Sequence, residues 1–247
     1  MSAIVHLKEV DSTNDELQRM LQANHDGVEE GLFVYADVQT KGRGQGGSSW
    51  ESELGKNLTG TFVLFPDFLP AGKQFLITQI GALAVADFLS LYCKLTDITV
   101  KWPNDVYWKD KKISGTLNEA LLMGHSIDYV LLGIGINLNQ KEFLSDAPNP
   151  VSVYQITSQL VDIPIAATQL QQCLLRRYMQ LANEDVDQIR SDYDNRLYRR
   201  EGYYCYEDKN GLFSAKIVKV HPSGEFELEL ENGERRKYLF KEVSFVL

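Results

Sequence analysis

Four short stretches of the sequence are rich in cationic side chains, glycines or amides. They are TKGRGQGGSSW (40–50), KWPND (101–105), KKISG (111–115) and GIGIN (133–137). Closely spaced glycines allow backbone N–H groups to face an anion. Arginine and lysine can neutralise negative charge that develops during a reaction. These residue types therefore favour chemistry on carboxylates and phosphates, by orientation and by charge stabilisation.

The glycine-rich stretch 40–50 follows a predicted strand, but it matches no standard nucleotide-binding motif. The P-loop pattern GxxxxGK[ST] is absent, and no helix begins after the glycines as a dinucleotide-binding fingerprint requires. Arg43 is its only arginine and offers a planar set of donors suited to a carboxylate or a phosphate. On the pattern alone, a flexible surface loop with a solvated arginine is an equally good interpretation.

Two lysines could face one cleft. Lys101 ends a predicted strand, just before a tryptophan and a proline, and Lys112 lies in the next predicted hairpin. Asp105 could help to hold magnesium, although a single carboxylate is a weak signal. Taken in isolation, an ordinary turn after the strand is the better interpretation of KWPND, and a hairpin tip with solvated lysines fits Lys111 better than Lys112.

Glycines inside predicted strands mark a place of close approach. Gly115, Gly133 and Gly135 lie within apolar segments, where glycine weakens a strand. Their presence indicates that a ligand or a neighbouring strand lies against them. Asn137 follows and could bond a ribose, a phosphate or only the local turn.

Composition and the absence of certain motifs argue against several classes of protein. The sequence has no GxSxG motif and no evident nucleophile with a base, so covalent catalysis by the protein is not indicated. Three widely spaced cysteines predict neither a disulfide framework nor a zinc site. The net charge of −9 disfavours general binding to nucleic acid. No signal peptide and no membrane span are recognised, which favours a cytoplasmic protein.

The elements that must position these stretches are short strands and helices. Strands are predicted at 4–10, 32–38, 57–65, 98–102 and 129–138, a hairpin at 106–122, a loop at 141–157, and helices after Ser12 and at 72–93, 164–183 and 184–198.

The composition changes near residue 199. From there apolar and polar residues alternate between the turns KNG, PSG and ENG, which predicts a small β-barrel. We therefore expect two domains, 1–198 and 199–247. The first is predicted to be α+β, with a mixed or antiparallel sheet and helices on one face.

Taken in order, the motifs resemble those of biotin protein ligases. The family pattern has a Ser-Thr-Asn turn, a glutamine and a GRG loop ending in tryptophan, KWPND, a lysine-containing hairpin ending in glycine, and GxGIN. This sequence has DSTND, QTKGRGQGGSSW, KWPNDVYWKDKKISG and GIGINLNQ. Each motif alone is modest, but the ordered set, from about residue 5 to residue 157, is highly specific.

The resemblance implies a fold, a reaction and partners. The fold would be a biotin/lipoate ligase-like catalytic domain followed by an SH3-like barrel. Biotin's carboxylate would attack the α-phosphate of MgATP to give biotinyl-5′-AMP and pyrophosphate. A lysine of a biotin carboxyl carrier domain, part of a biotin-dependent carboxylase, would then take the biotinyl group and release AMP. Neither nucleic acid nor membrane is an expected partner, and a homodimer is left open.

The resemblance also implies roles for individual residues. Catalytic roles fall to Lys101 and Arg43. Contacts to biotin fall to Ser12, Thr13, Asn14, Gln39, Arg43, Gly44, Gln45, Lys101 and Gly115. Contacts to the nucleotide fall to Arg43, Trp50, Lys112 and Asn137. No protein metal site is firmly implied, although Mg²⁺ carried by ATP could lie near Asn137 or Asp105, and the segment 141–157 would cover the adenylate.

The sequence departs from the family pattern in two ways. Many members have further arginines in forms such as GRGRxGR, whereas Gln45 and Ser48 stand at those places here. Since Gln45 can donate a hydrogen bond but supplies no charge, we expect a loop that closes less tightly. The resemblance begins so close to residue 1 that no N-terminal DNA-binding module is expected.

Two other functions fit the same motifs. A lipoate or octanoate ligase or transferase would share the fold and attach a different acyl group. A non-catalytic biotin-binding sensor would keep the pocket without the reaction. The GRG loop together with KWPND favours biotin, and the joint presence of Arg43, Lys101 and Lys112 favours an enzyme.

Overall fold

The computed structural model describes residues 2–44, 50–145 and 148–246 of the 247-residue chain. A seven-stranded sheet lies at its centre. The strands are β1 Ile4–Val10, β2 Phe33–Gln39, β3 Leu58–Leu64, β4 Ile98–Lys101, β5 Asp105–Trp108, β6 Lys111–Met123 and β7 Ser126–Ile136.

The sheet is mixed, as predicted, with the order β1-β2-β3-β7-β6-β5-β4. Only β1 and β2 pair in parallel among the described strands of this sheet; the other neighbours are antiparallel. The predicted strands and the hairpin are found within a few residues of their expected limits.

Five α-helices accompany the strands in the described part of the chain. They are α1 Thr13–Ala23, α2 Phe75–Leu91, α3 Val153–Thr157, α4 Ile163–Ala182 and α5 Val186–Asn195.

Alternation along the strands gives the sheet two apolar faces. Phe62 of β3 and Leu132 of β7 belong to the apolar cluster that includes α2 and α4. The adjacent residues Val63 and Leu131 belong to a second cluster, which includes α1. Because successive side chains point to opposite faces, the long helices cover one face, as predicted, and the short α1 packs on the other.

Helix α2 is apolar all round because it is surrounded by protein. The segment Ala71–Leu91 is long and apolar enough to cross a membrane by length and composition, but 72% of that window is buried. Burial on all sides is what a core helix of a packed domain shows.

The prediction of a loop over 141–157 is wrong for the last turn of this segment, which is helical. Helix α3 begins after Ser152, whose hydroxyl accepts from the backbone N–H of Gln155, while the Gln155 side chain accepts from the Ser152 N–H. This is a capping box, and its S-x-x-Q signal stands in the sequence.

The C-terminal residues form a second, five-stranded antiparallel sheet. Its strands are β8 Tyr204–Asp208, β9 Gly211–Val220, β10 Phe226–Leu230, β11 Arg235–Tyr238 and β12 Val243–Phe245. Their order is β11-β10-β9-β8-β12, which fits a small SH3-like domain. One apolar cluster joins this sheet to α2, β4 and α5, so the division at residue 199 stays a prediction.

Candidate active site

A cavity of about 620 Å³ opens where the sheet, the start of α1 and the C-terminal sheet meet. All predicted site residues within the described part of the chain line it, except Asn137. They are Ser12, Thr13, Asn14, Gln39, Arg43, Gly44, Trp50, Lys101, Asp105, Lys112 and Gly115. Gln45 and Ser48 lie outside the described residues.

The first turn of α1 supplies a polar recess. Ser12 is the N-cap of this helix, and its hydroxyl accepts from the Asp15 N–H. The backbone N–H and the hydroxyl of Thr13 both donate to Oε1 of Gln39, over 2.9 and 3.1 Å. The Thr13 hydroxyl also lies 2.7 Å from that of Thr61. Hydrogen bonds with residues of β2 and β3 thus hold the turn in place.

Asn14 is held from two strands. Its Nδ2 donates to a carboxylate oxygen of Glu119 over 2.9 Å, and its Oδ1 accepts from the Thr61 hydroxyl. A Cβ placed on Gly133 would lie 3.0 Å from that same Oδ1, so this glycine makes room for the amide. Sequence reasoning missed Thr61 and Glu119 because their β3 and β6 positions show no pattern linking them to the turn.

Arg43 lies at the edge of the cavity between two carboxylates. Its guanidinium is 2.6 Å from Oδ1 of Asp15 and 3.7 Å from Oε2 of Glu119. The arginine side chain is about half exposed. An anion that enters the cavity would therefore compete with Asp15 for the guanidinium.

Lys101 ends β4 and extends into an aromatic surround. Its Nζ donates to the Tyr107 hydroxyl over 3.2 Å. The ammonium also lies 5.1 Å from the centre of the Tyr107 ring and 5.2 Å from that of Phe245. Burial lowers the pKa of Lys101, and nearby Asp105 opposes part of this effect. A desolvated cation of this kind interacts strongly with an anionic ligand.

The turn after Lys101 is anchored from both sheets. The Trp102 ring stacks on Phe226 with centroids 4.8 Å apart, and its Nε1 donates to the Gly224 carbonyl over 3.0 Å. The peptide bond between Trp102 and Pro103 is cis. Asn104 donates from its amide to the carbonyl of Thr116 on β6. The turn thus sets the positions of the residues on either side of it.

Lys112 is paired within the cavity. Its Nζ lies 2.8 Å from Oδ1 of Asp105, and both side chains are mostly buried. The same ammonium lies 5.8 Å from the centre of the Trp50 ring. The prediction that Lys112 faces the cleft of Lys101 agrees with this arrangement, because both residues line the cavity.

The indole of Trp50 explains two of the glycines. A Cβ on Gly135 would lie 2.5 Å from Cε2 of Trp50, and one on Gly115 would lie 3.3 Å from Cζ3 of Trp50 and 3.1 Å from Oδ1 of Asp105. The close approach predicted for these strand glycines is thus made, in this structure, by a side chain. The Trp50 Nε1 is buried and has no hydrogen-bond partner among the described residues.

Asn137 is not brought into the cavity with the others. Its Nδ2 donates to the Val151 carbonyl over 3.2 Å, and its backbone N–H donates to Ile113 over 2.9 Å. Its Oδ1 is buried without a partner in the described part of the chain. In this structure the residue joins β7 to the segment before α3 and does not line the cavity.

The C-terminal sheet completes the cavity wall, which the sequence did not predict. The residues concerned are Phe240, Lys241, Val243, Ser244 and Phe245. They lie on β12 and the turn before it, and nothing in their local pattern marks them as site residues. Only the packing of the two sheets brings them to Lys101.

Oxygen ligands for a divalent cation are few at this cavity. Asp105 is the one carboxylate among the described residues that line it. No cluster of three or more His, Cys, Asp or Glu side chains suited to a metal occurs in the described part of the chain. Mg²⁺ commonly binds through one or two carboxylates and the phosphates of a substrate, and the residues present fit that arrangement.

Comparison with known proteins gives consistent matches. The model of a family described as the Biotin/lipoate A/B protein ligase family matches residues 7–137. "Bifunctional ligase/repressor BirA" of Bacillus subtilis is 28% identical over 215 residues, which cover 85% of this chain and 65% of that protein. A "Biotin--[acetyl-CoA-carboxylase] ligase" of Paracoccus denitrificans is 34% identical over 163 residues, 63% of this chain and 65% of that protein. The matched regions thus span about two thirds of the length of these relatives.

A solved structure matches along nearly the whole chain. The biotin protein ligase of Aquifex aeolicus in complex with biotin and ATP superposes with a TM-score of 0.80 at 26% identity. The match covers 99% of this chain and 98% of that one. Both the central sheet and the C-terminal sheet therefore have counterparts in one known architecture.

Proposed function

The chain belongs to the biotin/lipoate A/B protein ligase family, and from this premise we propose that it is an ATP-dependent biotin protein ligase. It would activate biotin as biotinyl-5′-AMP with release of pyrophosphate. It would then transfer the biotinyl group to a lysine of a biotin carboxyl carrier domain and release AMP. The similarity to a biotin protein ligase that binds biotin and ATP supports this proposal.

One observation carries the proposal beyond the fold. A polar recess of uncharged hydroxyl and amide groups, formed by Thr13, Asn14 and Gln39, shares one cavity with the cations of Lys101 and Lys112. Biotin has a neutral polar ring system at one end and a carboxylate at the other. The cavity offers hydrogen-bonding groups for the first and positive charge for the second.

In the first step an oxygen of the biotin carboxylate would bond to the α-phosphorus of ATP. The bond from that phosphorus to the bridging oxygen breaks, and pyrophosphate leaves with its electrons. Lys101 would offset the negative charge that grows on the phosphoryl oxygens, an effect strengthened by its burial. Arg43 would leave Asp15 to bind the adenylate.

In the second step a lysine amine of the carrier domain would attack the acyl carbon of biotinyl-AMP. The amine loses a proton, and AMP leaves with the electrons of the cleaved C–O bond. Both nucleophiles come from substrates, which agrees with the absence of a recognised nucleophile motif in the sequence. The task of the protein is to orient the reactants and to stabilise charge.

Magnesium would enter with ATP and supply positive charge at the phosphates. Most of its ligands would be phosphate oxygens and water. Asp105 is the residue of the cavity lining that would hold it.

The first experiment measures pyrophosphate release from MgATP with biotin, lipoate or octanoate in turn. We expect release with biotin, and we expect Lys101→Ala to abolish it. Lys111→Ala is the matched control, because Lys111 is an exposed lysine at the tip of the neighbouring hairpin. Mass spectrometry of a carrier domain, before and after reaction, then tests the transfer step.

Three other outcomes would change the assignment. Release with lipoate or octanoate instead of biotin would place the chain in another branch of the family. Tight binding of biotin without release from any acid would favour a sensor. An equal loss of pyrophosphate release in Lys101→Ala and Lys111→Ala would show that the effect is not specific to the cavity.

A further inference from the structure

We propose that Glu51 is a positioning residue that ties the segment after the glycine-rich stretch to the segment 140–145. The two segments would then order together at the mouth of the cavity. The inference rests on the proposed function for its catalytic consequence, but not for its structural test. Glu51 does not line the cavity, so it would act through its neighbours.

The Glu51 carboxylate gathers three N–H donors from the opposite segment. Its Oε1 accepts from the backbone N–H of Leu144 over 2.8 Å and from Nε2 of Gln140 over 3.1 Å. Its Oε2 accepts from the backbone N–H of Ser145 over 2.9 Å. One side chain therefore satisfies two consecutive backbone amides that a short loop would otherwise expose.

The carboxylate is suited to this task in a way that an amide is not. All three partners are donors, and an ionised carboxylate accepts at both oxygens. Burial raises the pKa of Glu51, but the hydrogen bonds from Ser145, Leu144 and Gln140 together outweigh this effect. The pKa of Glu51 is thus lowered. Glu51 is therefore ionised at neutral pH and holds its donors with charge-assisted bonds.

Gln140 connects this contact to the sheet. Its Oε1 accepts from Nδ2 of Asn57 over 2.6 Å and from the backbone N–H of Glu53 over 3.1 Å. Oδ1 of Asn57 in turn accepts from the backbone N–H of Leu138 over 3.0 Å. Glu51 thus stands at the outer end of a buried polar network that begins where β3 starts and β7 ends.

The tied segments adjoin residues of the cavity wall. Trp50, the residue before Glu51, lines the cavity and lies with its indole against Gly135. Pro148, three residues after Ser145, also lines the cavity. A loss of the Glu51 contacts would thus affect the cavity wall through these neighbours.

Replacement by glutamine tests the link with a minimal change. In Glu51→Gln the NH₂ group must face at least one N–H donor, whichever way the amide is turned. We expect amide hydrogen exchange in residues 140–145 and next to Trp50 to become about tenfold faster or more in the ligand-free protein, as one charge-assisted bond is lost. Glu53→Gln is the matched control, since the Glu53 side chain is exposed, its backbone N–H rather than its carboxylate bonds to Gln140, and the chemical change is the same.

The catalytic consequence is measured separately. If the protein forms biotinyl-AMP, Glu51→Gln should release it about tenfold faster and raise KM for ATP, with a smaller effect on kcat, because Glu51 touches none of the cations in the cavity. Glu53→Gln should behave as the wild type in both measurements.

Two results would overturn the proposal. One is exchange in Glu51→Gln that equals exchange in Glu53→Gln. The other is faster exchange confined to 140–145, with the Trp50 segment unchanged, which would make Glu51 a local loop cap only. If the glutamine variant does not fold, Glu51→Asp keeps the charge, shortens the reach and is judged by the same two criteria. The exchange test needs no substrate, so a failure of the biotin assignment would leave its result intact.

Discussion

The ammonium group of Lys101, at the end of β4, lies 5.2 Å from the centre of the Phe245 ring in the last strand of the C-terminal sheet. Tyr107 of β5 approaches the same ammonium from the central sheet and accepts its hydrogen bond. Tyr198 packs against both rings. The two sheets therefore form the environment of this lysine jointly, and neither would enclose it alone.

Phe245→Leu should reduce the first step without unfolding the protein. Leucine keeps an apolar group at the position but removes the ring face, and a cation–π contact contributes roughly 0.5–2 kcal/mol. We expect kcat/KM for pyrophosphate release to fall by about 2–30-fold. Phe213→Leu removes a ring from the same sheet that does not line the cavity, and an equal fall in that variant would attribute the effect to the sheet as a whole.

The pH profile of the first step should show the lowered pKa of Lys101. Burial disfavours the charged form, so the ammonium loses its proton at a lower pH than the usual value of about 10.4. Because Lys101 is proposed to act as a cation, we expect the rate to fall as pH rises through this lowered pKa.

Lys101→Arg separates this effect from other alkaline losses. Arginine keeps its charge throughout the accessible range, so the normalised rate of the variant should stay level where the wild type declines. The exposed Lys111, changed to arginine, serves as control. A shared alkaline decline in wild type and Lys101→Arg would show that another group controls the profile.

Alanine substitutions at Gly133 and Gly135 should weaken the binding of different substrates, although the two residues are only two positions apart on β7. A Cβ on Gly133 would meet Asn14 at 3.0 Å, whereas one on Gly135 would meet Trp50 at 2.5 Å. We expect Gly133→Ala to raise KM mainly for biotin and Gly135→Ala to raise it mainly for ATP. Initial rates with each substrate varied in turn measure this, with Gly72→Ala as control because its added Cβ would meet nothing within 4 Å. Identical shifts in the two strand variants would contradict separate subsites.

Local patterns were sufficient to predict the elements, and the family resemblance predicted part of the cavity lining. Alternation and helical periodicity located the strands and long helices, because side chains on a sheet or helix repeat with a fixed period. Motif order then placed Thr13, Lys101 and Lys112 at one site, and the structure brings all three to the same cavity.

What the sequence could not show depends on contacts between distant segments. Phe245 is recognisable only as a strand residue, and its place beside Lys101 follows from the packing of Trp102 on Phe226. Glu51 likewise follows a tryptophan without any motif of its own. For Asn137 the motif indicates a contact to a ligand, whereas in the structure its amide donates to the Val151 carbonyl.

Arg177 should determine stability without contributing to the cavity. It lies between two carboxylates, with 2.7 Å to Oδ2 of Asp87 and a second bond to Asp192, and so joins α4 to α2 and α5. Only 12% of its side chain is exposed. Arg177→Leu would leave both acidic groups without this partner, and removing one member of a buried ion pair costs about 3–5 kcal/mol.

Urea unfolding of the Arg177→Leu variant measures this cost. The control is Arg176→Leu, because Arg176 is the exposed neighbour. This control should change the free energy of unfolding by no more than about 0.5 kcal/mol. Burial raises the pKa of Asp192, but hydrogen bonds from Arg177 and Gln188 outweigh it, so the pKa is lowered in the folded protein. Its contribution to stability is present above the unfolded value of about 3.9 and is lost as pH falls through the folded value. The stability difference between wild type and Arg177→Leu should therefore shrink on acidification below about pH 4. A difference that stays constant down to pH 2 would show that packing of the arginine stem, and not its charge, connects the three helices.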